Sequence, residues 1–278
     1  MTYRLSSLIL AAAVAAAVGG LVSDVNAQSA SASTPHLADG RPDLNGTWDH
    51  NGLGFVRTES LGGGSVCVLD CPQPAAANGG NNQNAGARAG RAPANFPKYK
   101  AEFLGKVKDL SERQVQTDTV LQCQPPGVPR IGPPQKIMQN SREVVFLYND
   151  VNGGFFRIIP TDGRSHRKDV SSSFLGDGIG HWDGDTLVVE TTNFNEDTWL
   201  IDNGAFHTKD VKVVERLRRA GNTIEYQATV YDPAVLAEPW MGRAQTLQIA
   251  DKELEEPDRC EDRDIDHIID GSHHDNLR

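Results

Sequence analysis

The stretch GIGHWDGDTLVVETTNF, residues 178–194, decides the fold class of this chain. Two runs that favour β-strands flank Asp183-Gly184, a dipeptide typical of a two-residue hairpin turn. Across such a turn Trp182 is expected to lie opposite Asp185. The stretch therefore predicts an antiparallel hairpin whose two faces alternate along each strand.

Two glycines of this hairpin, Gly178 and Gly180, fall on the same face as Trp182. Glycine weakens a strand and leaves room above it. Two interpretations stay open for this space. One is a bend at a barrel corner, and the other is a ligand that approaches the backbone.

Further strand-like runs lie on both sides of this hairpin and repeat its pattern. They are EVVFLYN (143–149), GFFRIIP (154–160), KDVKVVERLRR (209–219), NTIEYQATVYD (222–232) and RAQTLQI (243–249). Short turns join them: TDGR follows the second run, and Ala220-Gly221 joins the third and fourth. Because hairpin follows hairpin without βαβ alternation, the sequence predicts a mainly β, antiparallel meander. Such a meander removes its open edges by closing into a barrel or a curled sheet.

One short amphipathic helix is predicted over residues 98–115. It places Phe103, Leu104, Val107 and Leu110 at helical spacing, with Lys and Glu on the other face. The Pro-rich stretch CQPPGVPRIGPPQKI (123–137) is expected to run extended over the core, because its prolines fix φ and remove donors.

The chain divides into segments of different composition. Residues 1–27 have the charged start, apolar centre and small-residue cleavage site of a secretory signal peptide; a membrane anchor is the alternative. Residues 28–40 are read as a linker, 41–265 as a single β-rich domain, and 266–278 as a polar tail. Within the domain, residues 72–95 are read as a disordered insert. The mature protein is expected in the periplasm or secreted, without an integral membrane segment.

The net charge of −10 argues against a nucleic-acid partner, whose phosphates repel an acidic surface. The expected partner is instead a small organic molecule, and the sequence predicts neither a metal site nor a cofactor. Oligomeric state is left open.

Four cysteines in an exported chain predict disulfide bonds. Three pairings are possible, and Cys67–Cys71 with Cys123–Cys260 is favoured. The second bond would close a long loop and constrain the unfolded chain strongly. A zinc site is the rival interpretation, but the C-x3-C spacing lacks a second close pair.

The motifs PDLNGTW, CQPPGVPR, TDGRSH, GIGHWDGDTLVVETTNF and VVERLRR resemble those of a widespread family of exported, β-rich bacterial proteins without an established reaction. The resemblance covers most of residues 41–260 and implies a fold and export. It transfers no catalytic residues. Gly46-Thr47-Trp48 also resembles the G-x-W at the start of lipocalin-like barrels, which favours a lipocalin-like barrel or curled sheet.

Glu215 is the leading candidate catalytic residue, because strand alternation puts it on an inward face with Val213 and Leu217. A buried carboxylate needs a partner or a shifted pKa. The structural alternative is a buried salt bridge to an arginine such as Arg157 or Arg130.

His166 and His207 lie in loops that could meet Glu215 at a barrel mouth, and they are the candidate acid–base partners. His181, Tyr226 and Arg130 are the candidate ligand-binding residues. Three hypotheses follow: an enzyme acting as a lyase, isomerase or hydrolase on a small organic substrate, a non-catalytic ligand-binding protein, and a structural envelope protein.

Overall fold

Strands with alternating burial make up most of the structure, a computed structural model that describes residues 33–50, 58–61, 64–67, 95–150 and 152–256. All of these residues belong to one unit that begins at Ala32. The strands are β1 (Gly46–His50), β2 (Thr58–Leu61), β3 (Gly64–Cys67), β4 (Lys136–Gln139), β5 (Glu143–Asp150), β6 (Gly153–Pro160), β7 (Asp177–Asp183), β8 (Thr186–Thr192), β9 (Lys212–Ala220), β10 (Thr223–Tyr231), β11 (Trp240–Met241) and β12 (Gln245–Ala250).

Ten of these strands form one antiparallel sheet, and β2 pairs with β3 separately. Nine strands follow the order β6-β5-β4-β1-β12-β10-β9-β8-β7, and β11 pairs with β10 beside this path. The two terminal strands of the order, β6 and β7, are consecutive in the chain and lie against each other. The sheet is therefore nearly closed into a barrel, and the predicted mainly β, antiparallel fold is confirmed.

The strand β1 joins the two halves of the sheet. Its residues Gly46 and Thr47 pair with β4, and its residues from Thr47 to His50 pair with β12, so that Thr47 lies opposite Ala250. Trp48, in the centre of β1, is fully buried and donates its Nε1–H to the carbonyl of Leu44 at 3.0 Å. The two halves therefore share one apolar interior.

The hairpin turns differ by one position from their prediction. Asp183 pairs with Thr186, so the turn residues are Gly184 and Asp185, and Trp182 lies opposite Leu187 instead of Asp185. Gly184 has φ +57°, as a type II′ turn requires at its first central position. The hairpin of β9 and β10 repeats this arrangement with Gly221. Because the shift moves each pair by two residues, the predicted faces of the strands are unchanged.

The predicted helix is broken into pieces. Residues 101–103 form a 3₁₀ turn, α1 spans Leu104–Glu112, α2 spans Gln114–Thr117, and a second 3₁₀ turn covers Thr119–Gln122. Phe103, Val107 and Leu110 pack against the core, but Leu104 is 55 % exposed. It projects from the first turn of α1, away from the packed side.

The Pro-rich stretch is not simply extended, as predicted, but turns back on itself. The Ile131 amide donates to the Gly127 carbonyl at 2.8 Å, and the Gly132 amide donates to Pro129. Val128 is buried in the core by this turn. The extended path predicted from the prolines therefore does not hold for this part of the stretch.

Several predicted segments lie outside the described residues: the signal peptide, nearly all of the insert, and the polar tail. Of the predicted linker, residues 33–40 are described. Thr34 accepts a hydrogen bond from the Gly221 amide at 2.9 Å, so this part lies on the turn between β9 and β10. Among the described residues, the helices are too short and too polar to cross a bilayer.

Candidate functional site

A buried polar network occupies the interior of the sheet and includes Glu215. Glu215 of β9 lies opposite Ala228 of β10 and is fully buried, as the strand pattern predicted. Arg157 enters from β6 and donates to both carboxylate oxygens, at 3.0 Å and 2.6 Å. The Tyr226 hydroxyl donates to Glu215 Oε1 at 3.0 Å. The structure thus brings Glu215 and Tyr226 together around Arg157.

The other two N–H groups of the Arg157 terminal amino groups are also engaged. Its terminal amino groups donate to the Tyr148 hydroxyl at 3.1 Å and to Thr191 Oγ1 at 2.7 Å. Burial by itself would lower the pKa of Arg157, but the Glu215 charge and the hydrogen bonds raise it above its usual value. Burial raises the pKa of Tyr226 as well. The network is therefore a hydrogen-bonded ion pair with neutral tyrosines. It matches the structural alternative stated for Glu215, a buried salt bridge to Arg157.

A cavity of about 530 Å³ lies where β6 and β7 meet at the open side of the sheet. Its walls are residues 156–160 of β6, residues 177–179 of β7, and the connecting loop at 164, 165, 167 and 173–176, with Pro125. Arg157 contributes to this lining, so the buried network begins at the cavity wall. The volume is in the range of cavities that hold small organic molecules.

The glycines of β7 allow β6 to close over it. A Cβ atom at Gly180 would lie 3.0 Å from methyl groups of Ile159 and Thr161, and one at Gly178 would lie 3.3 Å from Thr191 Oγ1. The space predicted above these glycines is therefore filled by side chains of β6 and β8.

The open edge of β6 is protected by a proline. The Thr161 amide donates to the Arg142 carbonyl, so alternate residues of β6 bond to β5. Pro160 is one of the residues whose backbone groups face β7 instead of β5. Because proline has no N–H, it leaves no donor unpaired at this edge. By the same alternation, the carbonyl and amide groups of Phe156 and Ile158 face β7.

His166 holds the connecting loop against β7 and β8. Its Nδ1 donates to Asp177 Oδ2 at 3.0 Å, and its Nε2 lies 3.5 Å from Glu190 Oε1. The Arg167 amide and Nε also donate to Asp177, at 3.0 Å and 2.6 Å. Burial alone would raise the pKa of Asp177, but the bonds from Arg167 and His166 lower it below its usual range. His166 thus fixes a cavity wall instead of meeting Glu215.

His207 lies in a different part of the core and is almost fully buried. Its Nδ1–H donates to the Thr208 carbonyl at 2.9 Å, and its Nε2 accepts from Thr198 Oγ1 at 2.8 Å. Burial lowers its pKa and favours the neutral ring. Both ring nitrogens are engaged, and neither contacts Glu215.

The other two predicted ligand-binding residues are placed apart from the network. His181 is exposed on the outer face of β7. Arg130 forms a two-bond ion pair with the fully buried Asp118, at 2.7 Å and 2.8 Å, and also contacts Asp202. Arg130 therefore anchors the segment after α2 instead of lining the cavity.

The cavity wall formed by Arg164, Arg167, Phe174 and Leu175 was not predicted from the sequence. TDGR was interpreted as a turn, and of the loop residues that follow it only His166 was given a role. The available signal was length: the connection from β6 to β7 spans residues 161–176. Loops of more than about 12–15 residues without secondary structure are usually functional or disordered.

Within the described ranges, no group of three or more His, Cys, Asp or Glu side chains has the arrangement of a metal site. Comparison of the chain with protein-family models, with curated proteins and with solved structures finds no match.

Proposed function

We propose that this protein is an exported binding protein that holds a small organic molecule in the β6–β7 cavity. The observation that carries this proposal is the cavity itself, which combines apolar walls with a few charged side chains. The enzyme hypothesis, with Glu215 and His166 or His207 as acid and base, receives less support. Each of those three groups has fixed protein partners, and the histidines do not contact Glu215.

Exposed apolar side chains at the cavity support binding. Phe156 is 63 % exposed and Ile158 is 52 % exposed, although both line a concave surface. A ligand that covers them gains about 25 cal/mol for each Å² of apolar area removed from water. Large exposed apolar patches on a protein surface typically mark interaction sites.

We expect Ile158→Glu to abolish binding of compounds that stabilise the parent protein, because a carboxylate would occupy the apolar wall. The measurement is a thermal-shift screen of small organic compounds, in which a ligand at 100 times its Kd adds about 2.7 kcal/mol of stability. Met138→Glu is the matched control. Met138 has the same exposure, 53 %, and the same outer face, but it lies on β4 outside the cavity.

Compounds that stabilise the parent and Met138→Glu but not Ile158→Glu would assign the site. Equal stabilisation of all three proteins would place binding elsewhere, and a screen in which nothing shifts the parent would count against a binding function.

We further propose export to the periplasm or the medium, with a disulfide between Cys123 and Cys260. Cys123 is not a free thiol. The Asn152 side chain donates to the Gln124 carbonyl at 3.0 Å, and the Asn149 side chain donates to the Glu255 carbonyl at 3.2 Å. The chain next to Cys123 and the chain before Cys260 are thus held at the same end of β5. The five residues from Glu255 to Cys260 span up to roughly 17 Å, a length that is compatible with the proposed bond.

Mass mapping of unreduced protein recovered from the periplasm is expected to show a Cys123–Cys260 peptide and a mature chain that starts at Gln28. Mapping after reduction is the control. A Cys67–Cys123 peptide would overturn the pairing, and an intact N-terminus would contradict removal of residues 1–27.

A further inference from the structure

Four charged residues belong to the lining of the β6–β7 cavity: the acid Asp177 and three arginines, Arg157, Arg164 and Arg167. The Arg157 side chain is 4 % exposed and turned inward to Glu215, so Arg164 and Arg167 are the two exposed arginines. This excess of positive groups contrasts with the whole chain, in which 37 Asp and Glu residues outnumber 27 Lys and Arg residues. The three arginines differ in how many of their donors are already used.

Two of the arginines are committed to protein carboxylates. Arg157 uses both terminal amino groups within the buried network around Glu215. Arg164 donates its Nε and one terminal amino group to Asp162, at 2.9 Å and 2.5 Å. Arg157 has no terminal N–H left for a ligand. Arg164 keeps the outer N–H of each terminal amino group, but its Nε edge already holds the Asp162 carboxylate.

Arg167 is different, because only its Nε is engaged by a side chain. That nitrogen donates to Asp177 Oδ1 at 2.6 Å, and the side chain is 65 % exposed. Its two terminal amino groups have no hydrogen-bond partner among the described residues. Terminal guanidinium nitrogens match the two oxygens of a carboxylate in spacing and plane.

The single acid of the lining is not available to a cation. Asp177 already accepts from His166 Nδ1, the Arg167 amide and Arg167 Nε. A positively charged ligand would therefore meet the guanidinium groups of Arg164 and Arg167 and one satisfied carboxylate. The apolar part of the wall, formed by Phe156, Ile158, Phe174 and Leu175, favours a hydrocarbon or aromatic body.

We infer that the cavity takes an organic carboxylate with an apolar body, and that Arg167 holds the carboxylate through its terminal amino groups. This inference rests on the proposed binding function and adds the chemical class of the ligand. The ligand lies in the groove outside the sheet, because the contact of β6 with Gly178 and Gly180 closes the way inward.

The test compares three probes with the same chain length by titration calorimetry at neutral pH: octanoate, 1-octanol and octylammonium. We expect octanoate to bind the parent about tenfold or more tightly than 1-octanol, since a charged hydrogen-bonded pair is added. Octylammonium is expected to bind more weakly than 1-octanol.

Arg167→Met keeps the unbranched stem of the side chain to about the position of Nε and removes its charge, so octanoate and 1-octanol should then bind equally. Arg243→Met is the control, because Arg243 is exposed and distant from the cavity lining; it should keep the parental preference. Arg167→Lys keeps the positive charge and should keep a reduced preference for octanoate. This variant distinguishes the loss of the charge from a displacement of the loop as the cause of a lost preference.

Each outcome bears on a different claim. Equal or weaker binding of octanoate than of 1-octanol to the parent overturns the carboxylate inference and leaves the binding function standing. An undiminished preference in Arg167→Met overturns the role of Arg167. If no probe binds the parent, the proposed carboxylate is wrong, and the broader screen with Ile158→Glu decides separately whether the cavity binds anything.

Discussion

Glu215→Gln is expected to lower the free energy of unfolding by about 3–5 kcal/mol, because it leaves the buried Arg157 cation without its counter-charge. Both side chains are almost completely removed from water, at 4 % exposure for Arg157 and 0 % for Glu215. An amide can replace the shape of the carboxylate but not its charge. The measurement is urea denaturation at neutral pH, with the midpoint and slope compared between variant and parent.

Arg216→Met is the matched control for this prediction. Arg216 is the next residue on β9, and its ion pair with Asp183 is exposed, so its loss should cost less than about 1 kcal/mol. The double variant Arg157→Met/Glu215→Leu should be less destabilised than the sum of its single variants, since no charge is left unpaired. An unchanged or raised stability of Glu215→Gln would show a strained carboxylate, which is the signature of an acid kept for function.

Gly176→Ala is expected to cost about 2–5 kcal/mol and to weaken ligand binding, because Gly176 lies in the cavity wall. Its φ is +68°, and an added Cβ would lie 2.6 Å from the Thr192 carbonyl oxygen and 2.9 Å from the Phe194 ring. A backbone oxygen cannot rotate away as a side chain can. The end of the loop would have to move, and the cavity would change shape with it.

Gly163→Ala separates the two causes of this loss. Gly163 belongs to the same loop and has φ +84°, but a Cβ there meets no atom within 4 Å. Only the left-handed backbone is strained, so about 1–2 kcal/mol should be lost and binding should be kept. Urea denaturation and titration of the same ligand measure both effects. Equal losses in the two variants would contradict the close contact at Gly176.

The sequence was sufficient for the parts of the fold that depend on local alternation. Val213, Glu215 and Leu217 lie inside as predicted. A shift of the strand register by one residue would move every side chain of the strand to the opposite face, so the alternation specifies which side chains are inside. The turns were placed one residue too early, since Asp-Gly was taken as the turn pair. The glycine in fact takes the first turn position, where a positive φ is needed.

The site depended on contacts that local pattern does not encode. Arg157 and Glu215 are 58 positions apart, and their pairing follows from the closure of β6 toward β7. His166 was expected at a barrel mouth with Glu215, but it bonds to Asp177 and lies 3.5 Å from Glu190 on the outer side of the hairpin. The sequence correctly placed His166 in a loop. Which residues it contacts depends on the three-dimensional path of that loop, and the local pattern does not encode this path.

The position of β1 in the sheet has a consequence for how the chain folds. This strand is synthesised early, but its longest pairing is with β12, whose residues come roughly 200 positions later. Contacts between residues so far apart in the sequence form slowly during folding. The hairpins β5–β6, β7–β8 and β9–β10 can form from neighbouring sequence as soon as they emerge. The strand that unites them cannot complete its pairing until β12 has been made. Closure of the sheet is therefore a late and comparatively slow step, and until it occurs the edges of β1 and β12 are open to pairing with other chains.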